Sequence, residues 1–120
     1  MNAVLNRMGD LVEVRSARAG GMRFVAVAWE GDYGTQTMQE CPDALILADA
    51  LRLASTATGF DQLIPAMQDT LRVSSTLLEG VHDVTIEWSD SHCDLVDLSP
   101  ERALRLADYI TAAAAESLSN

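Results

Sequence analysis

The side chains best suited to chemistry in this sequence lie together in the segment DSHCD, residues 90–94. Its carboxylates, imidazole and thiol are groups that bind zinc or exchange protons in catalysis. A zinc site, however, needs about four ligands, which usually come from two separated parts of the chain. His82 is the other histidine, and on an antiparallel hairpin it would lie at the end opposite this segment. We therefore predict that residues 90–94 form a turn that binds no metal and catalyses no reaction.

Three further residues could take part in catalysis, and each has a simpler interpretation. Cys41 precedes Pro42 at a predicted helix start, where the helix dipole can lower a thiol pKa, but free cysteine is also a common buried residue. Asp49 and Asp108 could act as acid and base, although a solvated helix face or an arginine partner is the simpler interpretation. The sequence contains no nucleotide-binding, metalloprotease or serine-hydrolase motif. It therefore predicts a protein that is not an enzyme and binds no cofactor.

Composition indicates a small acidic protein with one hydrophobic core. The chain has 120 residues, 48% of them hydrophobic, and its 18 acidic and 8 basic residues give a net charge of −10. Because phosphate binding needs clustered cations, direct binding of DNA or RNA is not expected. There is no apolar run long enough to cross a membrane and no secretory signal pattern, which favours a cytoplasmic protein. Cys41 and Cys93 are too few for a disulfide framework and are expected to be reduced.

The chain is similar to itself after a shift of 59 residues (88 − 29 for its two tryptophans). This shift superposes Gly21 on Gly80, and the segment ALILAD (44–49) on ALRLAD (103–108). Such similarity at a fixed spacing indicates two copies of one structural unit. The two tryptophans follow aliphatic residues on the same strand face, which predicts that both lie in the core.

The predicted domain spans residues 1–120 and is built from two repeats, residues 1–58 and 60–117. Each repeat begins with a short amphipathic segment, continues with three alternating strands around a glycine turn, and ends with a long helix. The fold class is therefore α+β: tandem-duplicated α-βββ-α units form an antiparallel sheet of about six strands, with two long helices packed on one face. Residues 60–79 also fit a single helix, but the repeat favours a helix followed by a strand.

The two repeats differ most on the outward face of their second strand. The first repeat has Phe24, Ala26 and Ala28 there, where the second has polar residues. Because an antiparallel sheet normally exposes polar residues on its uncovered face, this apolar face needs a cover. Two covers remain open: another segment of the same chain, or a partner, including a second copy. Phe24, Ala26 and Ala28 are thus candidate partner-binding residues.

The second repeat carries a run of acidic residues with no arginine between them. The candidate residues of this acidic face are Glu79, Asp83, Glu87, Asp90, Asp94 and Asp97. Acidic side chains on strands usually face solvent. A dense acidic face can also bind a basic partner or imitate the phosphates of DNA.

The sequence favours a small acidic non-catalytic protein-binding module, and one form of it is a homodimer through the apolar strand face. The alternative is a phage-type inhibitor of host defence, or DNA mimic, that uses the acidic face against a nucleic-acid-binding complex. A small enzyme with an unrecognised site comes third. In size, charge and order of elements, the chain looks like the small secretion chaperones of bacteria and like phage-encoded inhibitors of host defence. These resemblances rest on no sequence motif.

Overall fold

The computed structural model describes residues 2–29, 36–67, 69–88 and 95–119. In these residues, sheet 1 is followed by one helix and sheet 2 by another. Sheet 1 contains β1 (Ala3–Leu5), β2 (Leu11–Ala19), β3 (Met22–Trp29) and β4 (Gln36–Glu40), and helix α1 (Cys41–Thr56) follows it. Sheet 2 contains β5 (Asp61–Ala66), β6 (Asp69–Leu78), β7 (Val81–Trp88) and β8 (Leu95–Leu98), and helix α2 (Pro100–Ser119) follows it. Within each sheet, neighbouring strands are consecutive in sequence and antiparallel.

The predicted α+β class is confirmed, but the predicted arrangement is wrong in two respects. The described strands form two four-stranded sheets, where one sheet of about six strands was expected. The opening segment of each predicted α-βββ-α unit is a strand, β1 or β5, where a helix was expected. Residues 60–79 accordingly contain β5 and β6: the single helix is wrong, and of the helix followed by a strand only the strand, β6, is confirmed. A segment of three to six residues is too short for a stable helix, and here its backbone groups bond to the adjacent strand instead.

The central strand pairs have the same register in both sheets. Val12 pairs with Trp29 in sheet 1, and Leu71 pairs with Trp88 in sheet 2. Each residue of the second pair lies 59 positions after its counterpart in the first pair (71 − 12 and 88 − 29). Because the side-chain period of a strand is two, this shared register puts equivalent residues of both sheets on the same face. Both tryptophans therefore point inward.

Two-residue turns close the β2–β3 and β6–β7 hairpins, as the glycine positions predict. Gly20 and Gly21 have φ of 58° and 80°, and Glu79 and Gly80 have φ of 52° and 80°. Two consecutive positive φ values define the turn type whose twist matches that of the flanking strands. Both hairpins are therefore tight, and each presents its flanking residues at a narrow tip.

Backbone hydrogen bonds join the two sheets at both pairs of edges. The Met67 N–H, just after β5, donates to the Met38 carbonyl of β4 at 2.9 Å. The Arg7 N–H, in the β1–β2 loop, donates to the Asp97 carbonyl of β8 at 2.9 Å. Edge strands otherwise expose such groups as templates for other chains. These bonds therefore pair some of the edge N–H and C=O groups of the two sheets with each other inside the molecule.

The helices run antiparallel to each other, since Cys41 of α1 lies near the Ala114 carbonyl of α2, whereas Arg52 lies near the Ala107 carbonyl. The residues at their contact are mostly alanines, which allow close approach: Ala44, Ala48, Ala54, Ala103, Ala107 and Ala114 are all buried. Helix α2 packs mainly against sheet 1, and α1 mainly against sheet 2. Each half therefore supplies the helix that covers the sheet of the other half. No helix in the described residues is long and apolar enough to span a bilayer.

The two tryptophans lie in the core, as predicted. Trp88 is fully buried and Trp29 nearly so. Their rings stack with centroids 6.3 Å apart and an interplanar angle of 22°. Because one ring comes from each sheet, this contact ties the two sheets together at the ends of β3 and β7.

Candidate protein-binding surface

The apolar strand face predicted from the sequence is covered within the chain. Phe24 and Ala26 are only 3% and 4% exposed, and Ala28 is half-buried. Ala26 has Arg15 and Met38 as its direct cross-strand neighbours, so two long side chains flank it on the same face. Of the two covers left open by the sequence, the one from the same chain is therefore present. Phe24, Ala26 and Ala28 offer little apolar surface to a partner.

In the folded protein, arginines from outside residues 79–97 lie among the residues of the predicted acidic face. Asp90 and Asp94 lie outside the described residues. Arg7 forms an ion pair with Asp83, and Arg72 is the direct cross-strand neighbour of Glu87. The remaining candidates, Glu79 and Asp97, lie at the β6–β7 turn and on β8. The face is therefore a mixed surface with paired charges.

The segment 90–94 lies outside the described residues, so its turn stays a prediction. Elsewhere, Cys41 is buried, with its Sγ 3.8 Å from the Arg23 carbonyl, which fits a structural thiol. His82 donates from Nε2 to the Ala54 carbonyl at 2.8 Å. Among the residues that the structure describes, no group of three or more His, Cys, Asp or Glu is placed to hold a metal ion.

Asp49 and Asp108 have the arginine partner that the sequence favours over an acid–base pair. Arg52 lies between them, with Nη1 3.3 Å from Asp49 Oδ1 and Nη2 3.3 Å from Asp108 Oδ1. Its Nη2 also donates to Thr111 Oγ1 at 2.7 Å. The guanidinium group therefore links α1 to α2 and neutralises charge between the two carboxylates.

Exposed apolar side chains are concentrated at the tip of the β6–β7 hairpin. Leu77, Leu78 and Val81, which we call the hairpin patch, are 62%, 72% and 50% exposed. Leu78 and Val81 are direct cross-strand partners, so their side chains lie together on the same face. Leu77 precedes Leu78 in the strand and therefore points to the opposite face, beside His82, so Leu78 and Val81 form the contiguous part of the patch. Exposed apolar surface rimmed by polar residues marks interaction sites on soluble proteins.

A shallow groove of about 270 Å³ adjoins the hairpin patch. Its lining residues are Arg7, Thr76, Leu78, Glu79, Val81 and Asp83. Arg7 is fixed by its ion pair with Asp83 and by a hydrogen bond from its Nη2 to the His82 carbonyl at 2.9 Å. The groove thus combines apolar side chains with a carboxylate–guanidinium pair.

The C-terminal end of α1 holds the β6–β7 hairpin through Ser75 of β6 and through His82, close to the tip. Besides the bond from His82 to Ala54, Ser75 Oγ donates to the Ala57 carbonyl at 2.6 Å. The same oxygen accepts a bond from the Phe60 N–H at 3.1 Å. A surface that is already ordered loses less conformational entropy when it binds. The hairpin patch is therefore presented on a rigid support.

Glu79 has a backbone conformation that disfavours its side chain. Its φ of 52° lies in the left-handed region, where glycine or asparagine is preferred. The equivalent residue of the β2–β3 hairpin is Gly20 (20 + 59 = 79), with φ of 58°. A glutamate at this position costs on the order of 1 kcal/mol relative to glycine, and it places a carboxylate at the rim of the groove.

Asp97 lies next to the ion pair that borders the groove. Burial raises the pKa of the Asp97 carboxyl, and the nearby Asp83 carboxylate raises this pKa further. Thr85 and Arg7 act in the opposite direction, and Thr85 Oγ1 donates to Asp97 Oδ1 at 2.9 Å. The ionised form of Asp97 is thus disfavoured in the folded protein.

We expect Asp97→Asn to raise the free energy of unfolding at pH 7 by about 0.5 kcal/mol, a value reduced for solvent screening. The amide keeps the oxygen that Thr85 bonds and removes the charge beside Asp83. The folded-state pKa lies above the unfolded value, so stabilisation by protonated Asp97 is complete below the unfolded pKa and is lost as the pH rises through the folded pKa. The increase in unfolding free energy caused by Asp97→Asn should therefore become smaller as the pH falls from 7 to about 3. Urea unfolding at both pH values tests this, and an equal gain at both would contradict it.

Comparison with known proteins identifies no relative. No family model, curated protein or solved structure matches this chain.

Proposed function

We propose that this protein is a non-catalytic protein-binding module whose binding surface is the hairpin patch with its adjoining groove. The observation that carries the proposal is the exposure of Leu77, Leu78 and Val81 on a hairpin anchored to α1. Burying apolar surface of this kind against a partner is favourable by about 25 cal/mol per Å². A rigid apolar tip thus gains this free energy at a small cost in conformational entropy.

The charges around the hairpin patch indicate the chemistry of the partner. Glu79 and Asp83 line the groove, and the whole chain carries a net charge of −10. Complementary charge steers association and selects partners. The surface therefore suits a protein segment in which basic residues flank an apolar side chain.

The inhibitor alternative uses some of the same acidic residues but has less support. Arg7 and Arg72 lie among those residues, so the negative charges do not form an uninterrupted row like DNA phosphates. The hairpin patch, in contrast, is an apolar feature that imitation of DNA would not require.

We further propose that the two halves are copies of one unit, and the shared register of their central strands supports this. The equivalents of Leu77, Leu78 and Val81 in the first half are then Arg18, Ala19 and Met22. On this interpretation, the second hairpin has three aliphatic residues where the first has an arginine, an alanine and a methionine, as specialisation of one copy for binding would produce.

A photo-reactive amino acid in place of Leu78, with the same replacement at Leu63 as the matched control, tests the proposed surface in cells. Leu63 is similarly exposed but lies on β5. We expect position 78 to crosslink to a defined protein and position 63 not to do so. With that protein purified, Leu78→Asp should lower the affinity at least about tenfold, and Leu63→Asp should not change it. Unchanged affinity in Leu78→Asp, with a native circular dichroism spectrum, would rule out this surface.

A further inference from the structure

The two hairpins of the molecule carry opposite charge. Residues 11–29, which form β2 and β3, contain Arg15, Arg18 and Arg23 against one acid, a net charge of +2 (3 − 1). The equivalent residues 70–88 contain one arginine against three acids, a net charge of −2 (1 − 3). The first hairpin is thus a basic element in an acidic protein.

The tip of the β2–β3 hairpin has the chemistry that the groove requires. Met22 follows the Gly20–Gly21 turn and is 49% exposed. Arg18 and Arg23 are direct cross-strand partners immediately behind it. An apolar side chain is thus presented on a tight turn with two arginines behind it, which already interact within the chain, and with Glu40 lining the same pocket as Met22. The groove offers Leu78 and Val81 beside Glu79 and beside the Arg7–Asp83 ion pair, so its charged lining residues sum to −1 (1 − 2).

The two hairpin tips lie at opposite ends of α1. The β2–β3 tip is next to the first helical residue, because Cys41 Sγ lies 3.8 Å from the Arg23 carbonyl. The β6–β7 tip is near the last turn, because His82 bonds to the Ala54 carbonyl. The 13 helical steps from Cys41 to Ala54 (54 − 41) span about 20 Å. The first tip therefore cannot reach the groove of its own molecule, whereas the tip of a second molecule can.

We propose that the groove binds the β2–β3 hairpin of a second copy of this chain, so that molecules associate head to tail. In this contact, Met22 of one copy packs against Leu78 and Val81 of the next, and the arginines lie near Glu79 and Asp83. A pair of molecules joined in this way keeps one unused groove on one copy and one unused tip on the other, so the assembly extends to further copies. This inference rests on the proposed function, since it uses the same groove.

A symmetric dimer through the hairpin patches would be less favourable. It would place Glu79 and Asp83 of one copy near the same acids of the other, and like charges across an interface repel. The head-to-tail contact pairs opposite charges instead. A hairpin tip in a groove buries less area than the roughly 1,200 Å² of standard stable interfaces. The association should therefore be weak, dependent on concentration and reduced by salt.

Sedimentation equilibrium of the purified protein tests the proposal, with two variants that each remove one side of the contact. The average mass of the wild type should rise between about 10 µM and 1 mM, and about 0.5 M NaCl should lower it again. Met22→Asp and Leu78→Asp should each stay monomeric. Their equimolar mixture should form a 1:1 dimer, because one intact tip and one intact groove remain. Leu63→Asp should behave like the wild type.

A wild-type protein that stays monomeric over this range overturns the inference. So does an assembly that persists in Met22→Asp, or a mixture of the two variants that does not associate. If the wild type is monomeric but position 78 crosslinks to a different protein in cells, the inference fails and the proposed function stands. If position 78 captures no partner at all, the proposed function fails as well.

Discussion

Trp88→Ala is expected to lower the free energy of unfolding by about 3–5 kcal/mol. The indole ring is fully buried and stacks on Trp29 with 6.3 Å between ring centroids. Its removal leaves a cavity and ends a contact between the two sheets. Since small domains are stable by about 5–15 kcal/mol in total, the variant should be close to unfolding.

Urea unfolding followed by circular dichroism measures this loss, and Trp88→Phe is the matched control. The Trp88 Nε1 has no hydrogen-bond partner among the described residues, so phenylalanine removes no bond recorded there. It keeps an aromatic ring on Trp29 and should cost about half as much as alanine. An equal loss in both variants would show that ring stacking and packing are not the cause.

Asn6→Ala should lower the free energy of unfolding by about 2–3 kcal/mol. Asn6 is buried, and its Oδ1 accepts hydrogen bonds from the Met8 N–H at 2.9 Å and the Asp10 N–H at 2.8 Å. Alanine leaves both donors without this acceptor. The β1–β2 loop that carries Arg7 would then lose its shape, so the groove should bind its partner more weakly too.

Asn6→Asp is the control for this second prediction, because it keeps the Oδ1 acceptor. Arg102 Nη1 lies 3.4 Å from the Asn6 carbonyl, so a cation is near enough to moderate the added charge. We expect Asp to retain most of the stability that Ala loses, as measured by urea unfolding at neutral pH. If Asp costs as much as Ala, the acceptor role of Oδ1 is not the reason for the loss.

The long elements of this fold were predictable because each covers more than one period of its pattern. Strand β7 alternates apolar and polar residues over most of its length, β3 has the same length and inward residues at the same spacing, and the glycines at 21 and 80 fix their turns. Strands β1 and β5 have three and six residues, a length over which a strand and a helical turn give similar apolar spacing. Their pairing with β2 and β6, which lies outside the segment itself, decides between the two structures.

The candidate surface was only partly predictable, since its parts come from distant segments. Arg7 and Asp83 are 76 residues apart, so no local window shows that the acidic face contains an arginine. The hairpin patch did have a local signal, because Leu77 and Leu78 are adjacent and directly precede the Glu79–Gly80 turn. Two consecutive leucines beside a tight turn cannot both point into a core. Phe24 gave a misleading signal for a partner-binding surface. Other parts of the folded chain bury it, and the alternation of residues along the strand does not show this.

The exchange of helices between the halves has a consequence for synthesis on the ribosome. Sheet 1 is complete at Glu40, but the helix that mainly covers it begins at Pro100, 60 residues later (100 − 40). At ordinary translation rates of about 5–20 residues per second, this delay lasts roughly 3–12 seconds. During that time the nascent chain carries an apolar sheet face without its helix, and a chaperone can bind there. The first half thus depends on α2, which leaves the ribosome well after sheet 1, before it can finish folding.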